Sequence, residues 1–137
     1  MRFIIINGPN LNLIGVREPE IYGTVSFDEF IQQLKTEYND HHIDYYQSNI
    51  EGEIINKIHE TGFAYDGIVV NLGGYSHTSV AIADAIKSIK TPVVEVHISN
   101  IHSRESYRQN FITASACVGC IAGLGIKGYK LALDFFL

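Results

Sequence analysis

Five times along this sequence, an apolar run of strand length is followed by a segment with helical spacing, and no other feature constrains the fold as tightly. Residues 2–7, 43–48, 67–71, 92–97 and 116–122 read as strands. Helices are expected at 26–38, 51–61, 78–89 and 124–136, with a helical turn after the fourth strand. Ser26 with Glu29 three residues later makes a capping-box pattern. Phe27, Phe30, Ile31, Leu34 and Tyr38 then keep one apolar face. Ile54, Ile55 and Ile58 point the next helix inward, and Gly62 is its stop signal. Val80, Ala83, Ile86 and Ile89 give the third helix its apolar positions. Runs such as Ile68-Val69-Val70 are continuous rather than alternating, as expected for strands buried on both faces.

Alternating strands and helices imply a parallel sheet covered on both sides. Five strands in so short a chain favour the flavodoxin-like order 2-1-3-4-5, a three-layer α/β/α sandwich. At 137 residues the chain is expected to form a single domain, 1–137, long enough to bury a real core. Its formal net charge of -5 argues against nucleic acid as a partner, which normally needs a basic face. No apolar run approaches the roughly 18 residues that span a membrane. The start, MRFIIINGP, lacks the long apolar region of a signal peptide, so a cytoplasmic location is expected. Two cysteines give no disulfide framework.

In such a sheet the site lies beyond the carboxyl ends of the strands, where strands one and three diverge. The loops after Asn7, Asn71 and His97 are therefore the ones that can meet. The first, residues 7–23, is too long and polar to be a plain connection. It carries Asn10, Asn12, Arg17, Glu18, Glu20 and Tyr22. A guanidinium near a phenol favours the phenolate, so Arg17, with help from Arg104, would turn Tyr22 into a base. Without such a partner Tyr22 is an ordinary packing residue and Arg17 a solvated surface charge. At the switch point the loop reads as a lid whose closure excludes water. Glu95 and His97 alternate with valine in the fourth strand and so share a face. Held by the carboxylate, the imidazole has a fixed tautomer and can serve as a general acid or base; the plainer reading is a simple ion pair. His77 stands before the third helix, where it can meet a hydroxyl or an anion, while Ser76 or Thr78 is the expected cap. His41, His42 and His59 are expected to be solvated.

Two motifs are decoys. GLGIKG at 123–128 matches G-x-G-x-x-G, but the sequence stops at Leu137 without the second strand and acidic residue of a dinucleotide site. Its glycines are expected to permit close strand-to-helix packing. Cys117 and Cys120 match C-x-x-C but fall in an apolar run, not at a helix start, and are expected to be small core residues. The converging loops offer many hydrogen-bonding groups, few acids and no metal set, which suits a small polyhydroxylated anion.

Long segments of the chain, NGPNLNLIGVREPEIYG, QSNIEGEIINKIHE, NLGGYSHTSVAIADAI, PVVEVHISNIHSRESYR and GLGIKGYKLAL, together resemble type II 3-dehydroquinate dehydratase. The likeness runs from the first strand to the last helix. It implies dehydration of 3-dehydroquinate to 3-dehydroshikimate through an enolate, in the shikimate pathway that feeds aromatic amino acid biosynthesis or in quinate breakdown. It also implies a flavodoxin-like fold, no cofactor and no metal, and a dodecamer built from trimers. By position, Tyr22 would be the base, with Arg17 and Arg104 stabilising its phenolate. Asn10 would hold a water beside the enolate oxygen. His97, oriented by Glu95, would protonate the departing hydroxyl. Asn71, the Ile98 backbone and Ser99 would bind the carboxylate, His77 and Arg108 the ring hydroxyls. Asp84 would reach a neighbouring subunit's site. The family usually reads NPGAYTHTS where this chain has NLGGYSHTS. After Arg108 it usually has His and a Ser-Pro pair, where this chain reads QNFITASACVGC. The alternative is a non-catalytic flavodoxin-like binding or signalling module. A flavin binder would want a Ser/Thr-rich phosphate loop after strand one, and a receiver domain would want paired acids there.

Overall fold

Burial of nearly every side chain in three strands sets the architecture. The computed structural model of the chain describes residues 1–16, 20 and 25–137. Its five strands, β1 (Arg2–Asn7), β2 (His42–Gln47), β3 (Gly67–Asn71), β4 (Val93–His97) and β5 (Gly119–Ala122), form one sheet. Their order is β2-β1-β3-β4-β5 and every neighbouring pair is parallel. That is the expected flavodoxin-like order. Asn7 stands opposite both Gln47 and Asn71, so the first and third strands end level at the point where the chain direction switches.

Strand periodicity divides the interior in two. Phe3, Ile5, Val69, Val94 and Val96 face helices α1 (Phe27–Glu37) and α4 (Lys127–Phe136). Ile4, Ile6, Ile68, Val70 and Val93 face α2 (Glu51–Thr61) and α3 (Val80–Lys87). Because successive residues serve opposite layers, the strands read as unbroken apolar runs. Among the described residues no helix is long and apolar enough to cross a membrane.

Helix boundaries follow local chemistry. Ser26 Oγ accepts the Glu29 N–H at 3.2 Å, the backbone half of the expected capping box. Phe27, Phe30, Ile31 and Leu34 are buried as their spacing requires. Helix α3 starts later than expected, and its cap is Ser79, not Ser76 or Thr78: Ser79 Oγ accepts the Ile82 N–H at 3.0 Å. That start turns Val80 outward to 60 % exposure and puts Ile82 and Ala85 inside. Gly62 ends α2 in a right-handed conformation, so positive φ is not its role. A Cβ there would lie 2.2 Å from Ile89 Cγ2, so its task is to let the start of the next connection pack.

The fifth strand is shorter than the apolar run suggested. Residues Ala114–Ala116 make a 3-10 turn, and β5 begins only at Gly119. The two cysteines consequently depart from expectation: Cys117 is half-buried ahead of the strand, and Cys120 is exposed on the edge strand. His41 also differs, since its ring lies 5.8 Å from that of Phe3 and is half-buried. His42 is exposed but paired with Asp44 at 2.9 Å, and His59 is exposed. In the glycine-rich decoy, Gly123 and Gly125 carry positive φ at the turn. A Cβ on Gly128 would come within 3.1 Å of Val96, the expected close strand-to-helix packing.

Candidate active site

The carboxyl ends of β1, β3 and β4 converge on a cleft of about 330 Å³, counted to its open mouth. It is lined by Leu11, Asn71, Gly73, His77, His97, Ile98, Ser99, Ile101, Arg104 and Arg108. Seven of the residues singled out from the sequence thus share one wall: Asn71, His77, His97, Ile98, Ser99, Arg104 and Arg108. Among the described residues, none of those lining the cleft is a lysine.

Glu95 lies directly behind that wall and is 0 % exposed. An ion so deeply placed costs several kcal/mol unless its oxygens are satisfied. Both are. Oε2 accepts from His97 Nε2 at 2.9 Å, and Oε1 accepts the Thr113 hydroxyl. Hydrogen bonds to a charged acceptor stabilise by roughly 1.5–3 kcal/mol each, enough to offset the burial. A carboxylate only accepts, so the proton between them sits on Nε2 and His97 keeps Nδ1 for other work. Thr113, itself 0 % exposed, is held by its backbone: Ser76 O accepts the N–H groups of Ile112 at 2.8 Å and Thr113 at 3.3 Å. Sequence reasoning missed this residue, because nothing local ties position 113 to position 95.

His77 is oriented by a backbone carbonyl. Its Nδ1 donates to Asn110 O at 2.9 Å, which leaves Nε2 with its lone pair. Burial lowers the pKa of His77 from its usual value, against the opposing effect of the Asn110 carbonyl. Phe111 packs against both imidazoles, its ring centre 5.2 Å from each. The two histidine rings lie 6.0 Å apart. Phe111 therefore sets the spacing of the two groups, and it too was absent from the sequence reading.

Asn71 is tied from below. Its Nδ2 donates to Tyr129 Oη at 2.8 Å, and that hydroxyl donates on to Asn7 Oδ1 at 2.9 Å. Asn71 Oδ1 also accepts the Gly73 N–H at 3.3 Å. One Nδ2 hydrogen remains, so the side chain can still donate into the cleft. The Ile98 carbonyl accepts from Gly125 N–H at 3.0 Å. Ser99 Oγ accepts from Arg104 Nη1 at 3.3 Å, and Arg108 Nε pairs with Glu105 at 2.8 Å.

Other expected residues lie elsewhere. Asn10 is exposed, with φ 69°, and donates its backbone N–H to Asn49 Oδ1 at 3.0 Å; it is not part of the cleft wall. Asp84 is exposed on α3. Arg17 and Tyr22, the two groups assigned to the base, lie outside the described residues.

The whole sequence, residues 1–137, matches the family described as dehydroquinase class II. It is 53% identical over 142 residues to a 3-dehydroquinate dehydratase of Fusobacterium nucleatum, covering 100% of this chain and 97% of that one. It is 52% identical to the enzyme of the same name from Clostridium perfringens, covering 98% of this chain and 94% of that one. In three dimensions it resembles a type II dehydroquinase from Butyrivibrio crossotus with a TM-score of 0.93 at 42% identity, over 99% of this chain and 97% of the other. The likeness in sequence and the likeness in fold agree over the full length, and the chain belongs to the class II dehydroquinase family.

Proposed function

We propose that the cleft at the end of β4 eliminates water from 3-dehydroquinate to give 3-dehydroshikimate. The activity is that of a type II 3-dehydroquinate dehydratase, a carbon–oxygen lyase of the shikimate pathway. A non-catalytic binding or signalling module is not favoured. The observation that supports a catalytic cleft is the buried Glu95–His97 pair behind a wall of hydrogen-bond donors.

The reaction divides into two proton transfers. In the first, the Tyr22 phenolate, stabilised by Arg17 and Arg104, takes a proton from the carbon beside the ketone. The electron pair left behind moves onto the ketone oxygen, and the enolate is stabilised by a water held at Asn10. In the second, His97 gives a proton to the departing hydroxyl while the enolate collapses. The carbon–oxygen bond breaks, water leaves and a conjugated enone remains. Glu95 keeps the ring oriented and balances its charge when His97 is doubly protonated. Asn71, the Ile98 backbone and Ser99 receive the carboxylate, His77 and Arg108 the ring hydroxyls. By the same family likeness the chain assembles as a dodecamer of trimers in the cytoplasm, and Asp84 reaches a neighbouring subunit's cleft.

Incubation with 3-dehydroquinate in the presence of a chelator is expected to raise the ultraviolet absorbance of the enone. Tyr22→Phe is expected to lower turnover by about 10²–10⁴-fold, the usual contribution of a positioned general base. An absent signal for the wild type overturns the activity, and a near-normal rate for Tyr22→Phe moves the base to another group.

A further inference from the structure

Parallel pairing places Glu95 of β4 directly opposite Cys120 of β5. Cross-strand neighbours project side by side from the same face of a sheet. His97, two residues beyond Glu95, shares that face. A carboxylate oxygen, an imidazole nitrogen and a thiol sulfur, one from each, lie within 4.8 Å of one another. Among the described residues this is the one cluster of three such groups. We propose that Glu95, His97 and Cys120 bind a thiophilic divalent cation, zinc above all, and that the bound ion switches the catalytic acid off.

The donor set favours zinc-like cations. Tetrahedral zinc takes nitrogen and oxygen at about 2.0 Å and sulfur at about 2.3 Å, which puts these ligands about 3.3–3.5 Å apart. Glu95 Oε2 and His97 Nε2, 2.9 Å apart, have to open by about 0.4 Å as the ion takes the place of the proton between them, which passes to Nδ1, while the widest separation in the cluster closes by about 1 Å. A sulfur ligand selects against magnesium and calcium, which prefer oxygen alone. Charge balances as well. A dication with one carboxylate, one thiolate and a neutral imidazole is a neutral centre, the least costly kind to bury. The thiol releases its proton to solvent as the metal–sulfur bond forms. Thr113 already fixes the second oxygen of Glu95, as an outer partner commonly does for a ligating carboxylate. Glu95 and His97 are buried, but Cys120 is exposed, so the edge strand leaves a way in and a place for a water as fourth ligand.

Occupation has a direct chemical consequence. An imidazole whose nitrogen is bonded to a metal can no longer pass through its doubly protonated form, so His97 cannot deliver a proton and take one back. This second half rests on the dehydratase reading; the site itself does not.

Metal-stripped protein titrated with cobalt(II) is expected to develop a thiolate-to-cobalt absorption band that saturates at one ion per chain. The band is expected to vanish in Cys120→Ser and to persist in Cys117→Ser. In the enone assay, stoichiometric zinc is expected to stop the wild type, a chelator to restore it, and magnesium to have no effect. Cys120→Ser is expected to run at the wild-type rate without metal and to need at least about 10-fold more zinc for inhibition, the usual scale for loss of a metal-site partner. A missing cobalt band overturns the site. A band accompanied by unchanged turnover in zinc, or equal zinc inhibition of Cys120→Ser, overturns the switch. The cobalt band needs no turnover, so it is read separately from the dehydratase assignment.

Discussion

His77 shows how one side chain can be set by a single contact. Donation from Nδ1 to the Asn110 carbonyl fixes its tautomer, and burial, with His97 and Arg108 nearby, makes a second proton unwelcome. Its folded-state pKa is therefore below the usual 6.5. The unfolded chain binds that proton more readily, so the contribution of His77 to stability is fully present above about pH 6.5 and is lost as pH falls through the folded value. Thermal unfolding across roughly pH 5–8 checks this. His77→Gln is expected to flatten the acid-side fall in stability relative to the wild type; an unchanged slope counts against it. At this scale legibility was uneven. A charge inside PVVEVH demands a partner, so Glu95 and His97 stand out in the sequence. Thr113, 18 residues away, could not be inferred, because its approach to Glu95 depends on the path of a loop.

Helix α4 and strands β1 and β3 meet through one hydroxyl. Tyr129, 0 % exposed, joins Asn7 and Asn71, residues 122 and 58 positions away. A helix from the far end of the chain thereby fixes the two asparagines at the strand tips. Tyr129→Phe leaves a buried donor on Asn71 and a buried acceptor on Asn7, a loss of about 1–3 kcal/mol. It is expected to lower the denaturation midpoint and to raise KM more than it lowers kcat, since Asn71 then drifts from the cleft. Equal stability, or a fall in kcat alone, would contradict this. Elements were largely readable from spacing, because two apolar layers write two periodicities into the strands and helices. Their ends were less so. Val80 fits the helical pattern but faces solvent once Ser79 caps the helix. The apolar run at 116–122 looks like a full strand, yet its first part turns to cover the Glu95 side of the sheet.

For the whole molecule, strand order followed from alternation and length alone, and the order then located the cleft. The proposed assembly has its own test. Val80, Val118, Leu124 and Phe135 are each between 58% and 63% exposed. Sedimentation is expected to give the mass of twelve chains of 15.3 kDa each, and Asp84→Ala to reduce turnover without changing that mass. A monomer with full activity would remove the proposed subunit contact. Charge distribution has its own outcome. The chain carries a formal net charge of -5, yet two guanidiniums line the cleft, with Glu105 between them, 2.8 Å from Arg108 and 3.8 Å from Arg104. An anion diffusing inward meets repulsion first and attraction last. In salt water at 0.15 M the long-range field dies within about 8 Å, while contacts inside the cleft persist. Encounter is thus suited to the ionic strength of a cell: in dilute buffer the same molecule gathers its substrate more slowly.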